Sequence, residues 1–212
     1  MEPMRTELDD LIRGMCQNLG LCDSSDPLSD QAHRTARKVD DVSWIPELIT
    51  AYYGEEDEIR RRMIVQLIGT IGKRSKNADC LIALLTILRT EKSRYVLAEA
   101  LHGLRMMPKP IDTDLEPIFD RLADRPGMTR QGAILALERC QSPEAERRIL
   151  MHLASTPYQQ DRFFCVAVLM SIGTEAALPA LHDALTSKRK DIRFAASEAI
   201  ALIADRKTQS KL

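Results

Sequence analysis

The sequence predicts an all-α fold, a right-handed superhelical solenoid of about five stacked helix pairs with an N-terminal capping segment. The main observation is a repeated pattern in which an Arg is followed by small or apolar residues at steps of 3, 3, 1 and 3. Its five copies begin at Arg61, Arg94, Arg130, Arg162 and Arg193. They are 31 to 36 residues apart, the spacing of helix pairs that stack into a solenoid. A hydrophobic content of 44% with only 4% aromatics favours aliphatic cores between helices over alternating strands.

The first helix of each pair begins near a proline in three copies. Pro46, Pro117 and Pro179 lie about fourteen residues before the repeated Arg, and proline is tolerated in the first turn because its missing N–H has no partner there. The predicted first helices cover residues 43–53, 78–90, 113–124, 143–155 and 175–186. The repeated Arg then begins the second helix of each pair.

The first 42 residues do not follow the repeat. Apolar residues recur with helical spacing over residues 6–20, and a weaker helix is predicted over residues 29–39. The sequence therefore predicts three parts: an N-terminal helical cap (1–42), the repeat solenoid (43–205) and a polar tail (206–212).

The last copy carries a family resemblance. Pro179 in the first helix, then Asp191-Ile192-Arg193 and the apolar positions of the second helix, resemble a HEAT repeat of the bacterial HEAT-like, armadillo-like kind. The resemblance covers about residues 43–205 and implies an α-solenoid that acts as a non-catalytic scaffold for protein–protein interaction. Arg94 and Arg130 lack the preceding acid, so an unbroken Asp/Arg ladder is not expected.

Composition limits the partners and the location. Lys and Arg number 30 against 31 Asp and Glu, so nucleic acid is not the expected partner. Neither an apolar N-terminal region nor a stretch long enough to cross a bilayer is seen, and the cysteines lack metal-ligand or paired spacing. We expect a cytoplasmic protein with reduced cysteines, no membrane association and no cofactor, its oligomeric state left open. The cysteines are Cys16, Cys22, Cys80, Cys140 and Cys165.

The sequence predicts no catalytic or metal site. HEAT-type di-iron hydroxylases need His-Glu dipeptides, because imidazole and carboxylate ligands must converge on two metals, and none of the four histidines is followed by Glu. The five repeated arginines are expected to bond a neighbouring acid or the carbonyls that end a helix. The chain is therefore expected not to be an enzyme.

The second helices are expected to line the concave side of the solenoid. If Ala196, Ala199, Ile200 and Ile203 face the core, a 100° step places residues 194, 198, 201 and 205 on the opposite face. The same register in the other copies defines a candidate partner-binding face, on which large apolar side chains are unusual in water. The candidates are Tyr95, Glu99, His102, Gln131, Leu135, Glu138, Phe163, Met170, Phe194 and Glu198, and the corresponding residues of the first pair include Gln66 and Gly69.

These observations favour a protein that binds another protein through its concave face, as an adaptor, regulator, assembly factor or immunity or inhibitor protein. A second hypothesis is bilin-lyase-like or chaperone action on a partner protein, since some bilin lyases are built from HEAT-like repeats. A third is a DNA-binding enzyme like the DNA alkylation repeat glycosylases. These carry a basic concave groove with aromatic and acidic residues around the lesion, and no matching set surrounds Trp44.

Overall fold

The computed structural model describes residues 5–17, 27–125 and 127–209, and within them the chain is a succession of helices joined by short connectors. The only extended pairing in these residues is an isolated parallel bridge between Lys109 and Cys140. The chain divides into two compact units, Met1–Met107 (unit 1) and Pro108–Leu212 (unit 2). The predicted all-α solenoid class is confirmed.

Unit 1 contains two helix pairs that follow two N-terminal helices. Its second helices, α4 and α6, pack against each other, and α1 packs on both α2 and α4. The described helices are α1 (Thr6–Cys16), α2 (Pro27–Ala36), a 3-10 turn (Val42–Trp44), α3 (Ile45–Gly54), α4 (Glu58–Ser75), α5 (Ala78–Thr90) and α6 (Arg94–Arg105).

Side-chain caps fix the helix starts in unit 1. The Asp57 carboxylate accepts a hydrogen bond from the Arg60 N–H at 2.8 Å, Asn77 caps α5, and Ser93 caps α6. Each cap satisfies backbone donors that have no partner within the helix. Lys76 ends α4 in the left-handed conformation, at a φ of 55°, so the chain turns sharply into the next pair.

Unit 2 repeats the pairing with shorter first helices. Helix α10 packs against α8, α9 and α12, and α11 packs on α12. The helices are α7 (Glu116–Phe119) with a 3-10 turn (Asp120–Ala123), α8 (Gly127–Ala136), α9 (Pro143–Ser155), α10 (Gln159–Ile172), a 3-10 turn (Glu175–Ala177), α11 (Leu178–Ala184) and α12 (Lys190–Gln209).

The helix boundaries differ from the sequence predictions in two respects. The predicted helices 113–124 and 175–186 are each a short α-helix joined to a 3-10 turn. Helix α12 continues to Gln209, so residues 206–209 of the predicted polar tail are helical. The prolines lie where predicted, at the first or second position of α3, α7 and α11.

The N-terminal helix begins at Thr6, as predicted, and ends at Cys16. Residues 18–20 of the predicted helix lie outside the described residues. The weaker helix predicted over 29–39 is α2, which begins two residues earlier and ends at Ala36.

The described cysteines behave as core residues. Cys80, Cys140 and Cys165 are buried free thiols and Cys16 is half-buried, while Cys22 lies outside the described residues. Burial raises the pKa of Cys80 to about 11 and also raises the pKa of Cys140 and Cys165. These thiols therefore remain protonated and unreactive at neutral pH.

Candidate functional site

On α12 the exposure of the side chains follows the predicted register, except that Ile200, predicted to face the core, is half-buried. Ala196, Ala199 and Ile203 are buried, whereas Phe194 and Glu198 are exposed. The 100° step therefore separates the core side of this helix from its outward side as the sequence predicts.

In unit 1 two of the predicted residues, Glu99 and His102, lie together at a cavity of about 450 Å³. We call it the α4/α6 cavity, because α4 and α6 form most of its walls. Its remaining lining residues are Arg37, Gln66, Gly69, Thr70, Lys73, Arg74, Gly103 and Met106. The sequence register had aligned Gln66 with Glu99 and Gly69 with His102, and the structure brings all four to one place.

Two glycines form the floor of this cavity. A Cβ atom built on Gly69 would lie 2.9 Å from the Gly103 Cα, and one built on Gly103 would lie 3.0 Å from the Gly69 Cα. Any larger residue at either position would collide with the backbone of the other helix. The helices approach closely at this point, and the floor of the cavity is bare backbone.

Positive charge dominates the cavity lining. Glu99 is the only carboxylate among the lining residues, against Arg37, Lys73 and Arg74. Glu99 pairs with Arg62 at 3.4 Å, and Arg74 pairs with Asp40 at 3.2 Å. Among the described residues, Arg37 and Lys73 have no ion-pair partner, so two positive charges of the lining are not neutralised by the protein.

Sequence reasoning missed Arg37, Thr70, Lys73 and Met106 as cavity residues. The signal was available on the helices, since residues 66, 69, 70 and 73 of α4 have the spacing of one helical face. Residues 99, 102 and 103 of α6 and Met106, which caps it, have the same spacing. Arg37 follows α2. It reaches the cavity because of how the helices of unit 1 pack, which the spacing of residues along a single helix does not predict.

Tyr95 lies one turn before Glu99 on α6 and is 39% exposed. The Arg94 guanidinium lies over its ring, 4.8 Å from the ring centre, and donates a hydrogen bond to its hydroxyl at 2.7 Å. Tyr95 is therefore a surface residue whose ring is partly covered by its neighbour.

The predicted residues of α8 in unit 2 are less accessible. Gln131 donates a hydrogen bond from its amide to Asp161 Oδ1 at 3.2 Å, so this side chain has an internal structural role. Leu135 and Glu138 are half-buried.

The predicted aromatic residues of unit 2 differ in exposure. Phe163 and Phe164 are both half-buried, with ring centres 5.6 Å apart, so neither points fully outward. Met170 is half-buried as well. Phe194 is 69% exposed on α12, which makes it the most exposed large apolar residue of the described chain.

Three of the five repeated arginines hold the connector that precedes their own helix. Arg61 Nη1 donates to the carbonyls of residues 55 and 56, Arg130 Nη1 to those of residues 124 and 125, and Arg193 Nη1 to those of residues 187 and 188. The bonded carbonyls stand six and five residues before the Arg in all three copies. The predicted structural role of these arginines is confirmed by these bonds.

Two arginines also bind the acid of the next pair. Arg61 pairs with Glu91 at 3.1 Å, and Arg130 pairs with Asp161. Arg162 bonds the Leu153 carbonyl at 3.2 Å and lies 3.8 Å from the exposed carboxylate of Asp183. Arg94 instead bonds the hydroxyl of Tyr95. The ladder of acids and arginines is therefore discontinuous, as expected from the sequence.

Lys109 is a buried charge that the sequence did not reveal. Its backbone N–H donates to the Arg139 carbonyl at 3.2 Å, and its carbonyl accepts from the Gln141 N–H at 3.0 Å. The side chain is fully buried, and burial lowers the pKa of Lys109 to about 8.

Neither a metal centre nor a membrane span is found in the described part of the chain. No group of three or more His, Cys, Asp or Glu side chains there could hold a metal ion. No helix in the same residues is both long and apolar enough to cross a bilayer.

Part of the chain matches a known family. The model of the family described as HEAT repeats matches residues 115–201, which lie within unit 2. No curated protein matches the chain. HEAT repeats generally mediate protein–protein interactions and typically form non-catalytic scaffolds. Residues 115–201 are therefore similar to HEAT repeats, and the arginine–carbonyl bonds found within them recur in unit 1.

Proposed function

We propose that this protein is a non-catalytic recognition module that binds another protein through the outward faces of its second helices. The proposed binding residues are the ten that the sequence analysis selected, with Phe194 and Tyr95 as the apolar anchors. Gln131 supports this surface from within, since its amide is bonded to Asp161.

The observation that carries the proposal is the exposed face of α12. Phe194 is 69% exposed and Leu202, eight residues later, is 38% exposed, with the exposed Glu198 between them. A phenylalanine in water is costly, and covering it with a partner contributes up to about 2–3 kcal/mol. Apolar residues interrupted by a charge along one helix face are typical of a surface that binds a partner helix or tail.

The test compares proteins that co-purify with two double variants. Tyr95→Ala with Phe194→Ala removes the two anchors from α6 and α12. The matched control, Ile82→Ala with Met151→Ala, removes exposed apolar residues from the first helices α5 and α9, where Ile82 is 60% and Met151 is 55% exposed. Both variants are expected to keep the melting temperature within a few degrees of the wild type, because Phe194, Ile82 and Met151 are more than half exposed and the ring of Tyr95 is covered by the exposed Arg94.

Quantitative mass spectrometry of proteins recovered from the native host is the readout. The proposal expects at least one protein to be recovered with the wild type and the control variant but lost with the anchor variant. Equal recovery with all three chains, or loss with the control alone, would show that the outward faces of the second helices are not the binding surface.

A further inference from the structure

The α4/α6 cavity lies on the outward faces of two second helices in unit 1. Its lining is polar and charged, whereas the outward face of α12 exposes the apolar side chains of Phe194 and Leu202. Its floor is backbone at Gly69 and Gly103, and its walls carry the polar side chains of Gln66, Thr70 and His102. A volume of about 450 Å³ is within the range of cavities that hold ligands. This cavity can therefore take a side chain with polar contacts on several sides.

The charges around the cavity indicate an anionic occupant. Arg37 and Lys73 are exposed and lack an ion-pair partner in the described part of the chain, while the other lining charges, Arg74 and Glu99, are paired with residues of the protein. The protein thus leaves two cations at the cavity mouth whose attraction for an anion is not cancelled.

Glu99 restricts which anions the cavity can bind. Its carboxylate is part of the lining and only 15% exposed, so a doubly charged phosphate would meet a like charge at short range. A singly charged carboxylate experiences about half of that repulsion and keeps the attraction of Arg37 and Lys73. The hydroxyl of Thr70 and the amide of Gln66 are donors that a carboxylate accepts.

We propose that the α4/α6 cavity receives an aspartate or glutamate side chain of the partner protein, and that an acidic segment of that partner lies across α4 and α6. This inference rests on the proposed function and adds the chemistry of the partner. Arg37 and Lys73 attract the segment, and the glycine floor leaves the cavity above the two helices free of side chains at its base, where the carboxylate can lie.

The experiment uses nuclear magnetic resonance, because the cavity floor supplies its own reporters. The chain has only nine glycines, so the amide signals of Gly69 and Gly103 are readily separated in a nitrogen–proton spectrum. The full chain is titrated at low ionic strength with a blocked hexaglutamate peptide, in parallel with hexalysine and with inorganic phosphate.

The expected result is a saturable shift of both glycine signals with hexaglutamate and none with hexalysine. Arg37→Ala combined with Lys73→Ala should weaken hexaglutamate binding by about tenfold, the combined effect of two surface ion pairs. The matched control, Lys38→Ala with Lys92→Ala, removes the same charge from exposed positions of unit 1 outside the lining and should bind as the wild type does.

Three results would overturn the inference. An absence of shifts at Gly69 and Gly103 would exclude the cavity, and equal weakening in both double variants would show diffuse attraction to positive charge. Shifts with inorganic phosphate but not with the peptide would assign the cavity to a small anion. If hexaglutamate does not bind the cavity but the Phe194 and Tyr95 experiment still recovers a partner, the acidic segment is rejected. The proposed function is then unaffected.

Discussion

Arg130 and Asp161, 31 residues apart, form a buried ion pair in unit 2. Asp161 is fully buried and Arg130 is 7% exposed. The carboxylate also accepts hydrogen bonds from Gln131 at 3.2 Å and from Thr156 at 3.3 Å. The Arg130 guanidinium lies 4.3 Å from the centre of the Tyr158 ring, so both members of the pair are held on several sides. This pair joins α8 to α10 at the start of each helix.

Removal of one partner should therefore be costly. Asp161→Ala leaves the Arg130 cation buried without its counter-charge, and we expect the free energy of unfolding to fall by about 3–5 kcal/mol. Urea denaturation measures the change. Asp183→Ala is the control, since Asp183 is 75% exposed at 3.8 Å from Arg162 and should change stability by less than about 0.5 kcal/mol. Similar small effects in both variants would contradict a stabilising role for the buried pair.

The same pair predicts a dependence of stability on acid. Burial alone would raise the pKa of Asp161, but hydrogen bonds from Arg130 and Gln131 outweigh it and lower the pKa below its usual range. The unfolded carboxylate titrates near pH 3.9, so its contribution is complete above that pH and is lost as the pH falls through the lower folded-state pKa. Asp161→Asn should lose less stability than the wild type when the pH is lowered from about 5 to 2. Parallel loss in both proteins, followed by circular dichroism, would refute this.

Lys109 should give the opposite dependence, at alkaline pH. Its pKa is lowered to about 8 in the folded protein and is about 10.4 in an unfolded chain. Between these values the unfolded state binds more protons, so rising pH stabilises the fold. From pH 7 to 10.5 the wild type should gain roughly 3 kcal/mol relative to Lys109→Met, which cannot titrate. Cys140 interacts electrostatically with Lys109, so the comparison is made with Cys140→Ala in both proteins, and the other cysteines cancel in the difference. A constant difference across this range would show that the lysine pKa is not lowered.

The glycine contact in unit 1 predicts that even a methyl group is not tolerated. A Cβ at position 69 would lie 2.9 Å from the Gly103 backbone, so Gly69→Ala should separate α4 from α6 and lower the free energy of unfolding by about 1–3 kcal/mol. Gly127→Ala in α8 is the control, because the nearest atom to its Cβ is a flexible side chain 3.5 Å away. We expect the control to be neutral or slightly stabilising in thermal denaturation. A neutral Gly69→Ala would mean that the helices can move apart without loss.

Much of the fold was predictable because the repeated positions carry direct physical signals. The Arg at the start of a second helix stands close to the connector that precedes it, so a structural role for Arg61, Arg130 and Arg193 follows from position, although the bonded carbonyls lie in the connector and not at the helix end as predicted. The outward register also follows from helical spacing alone, and it placed Glu99 and His102 on one face.

The missed features depend on tertiary packing. Lys109 stands between two prolines in the connector that follows α6, and nothing local indicates that its side chain is buried. The charge balance of the α4/α6 cavity depends on Arg37, which follows α2 and reaches the cavity through the fold of unit 1. The half-burial of Phe163 similarly depends on how α10 meets its neighbours, since two consecutive rings give no sequence signal for which one is covered.

The repeated Arg bonds have one consequence for how such a chain can change. Arg61, Arg130 and Arg193 donate hydrogen bonds to backbone carbonyls of the connectors. These bonds therefore do not depend on which side chains the connector residues carry. The positions proposed to contact a partner lie elsewhere, on the outward turns of the same helices. Substitutions at the outward positions can therefore change the proposed binding surface of one helix pair while the arginine–carbonyl bonds of that pair are kept.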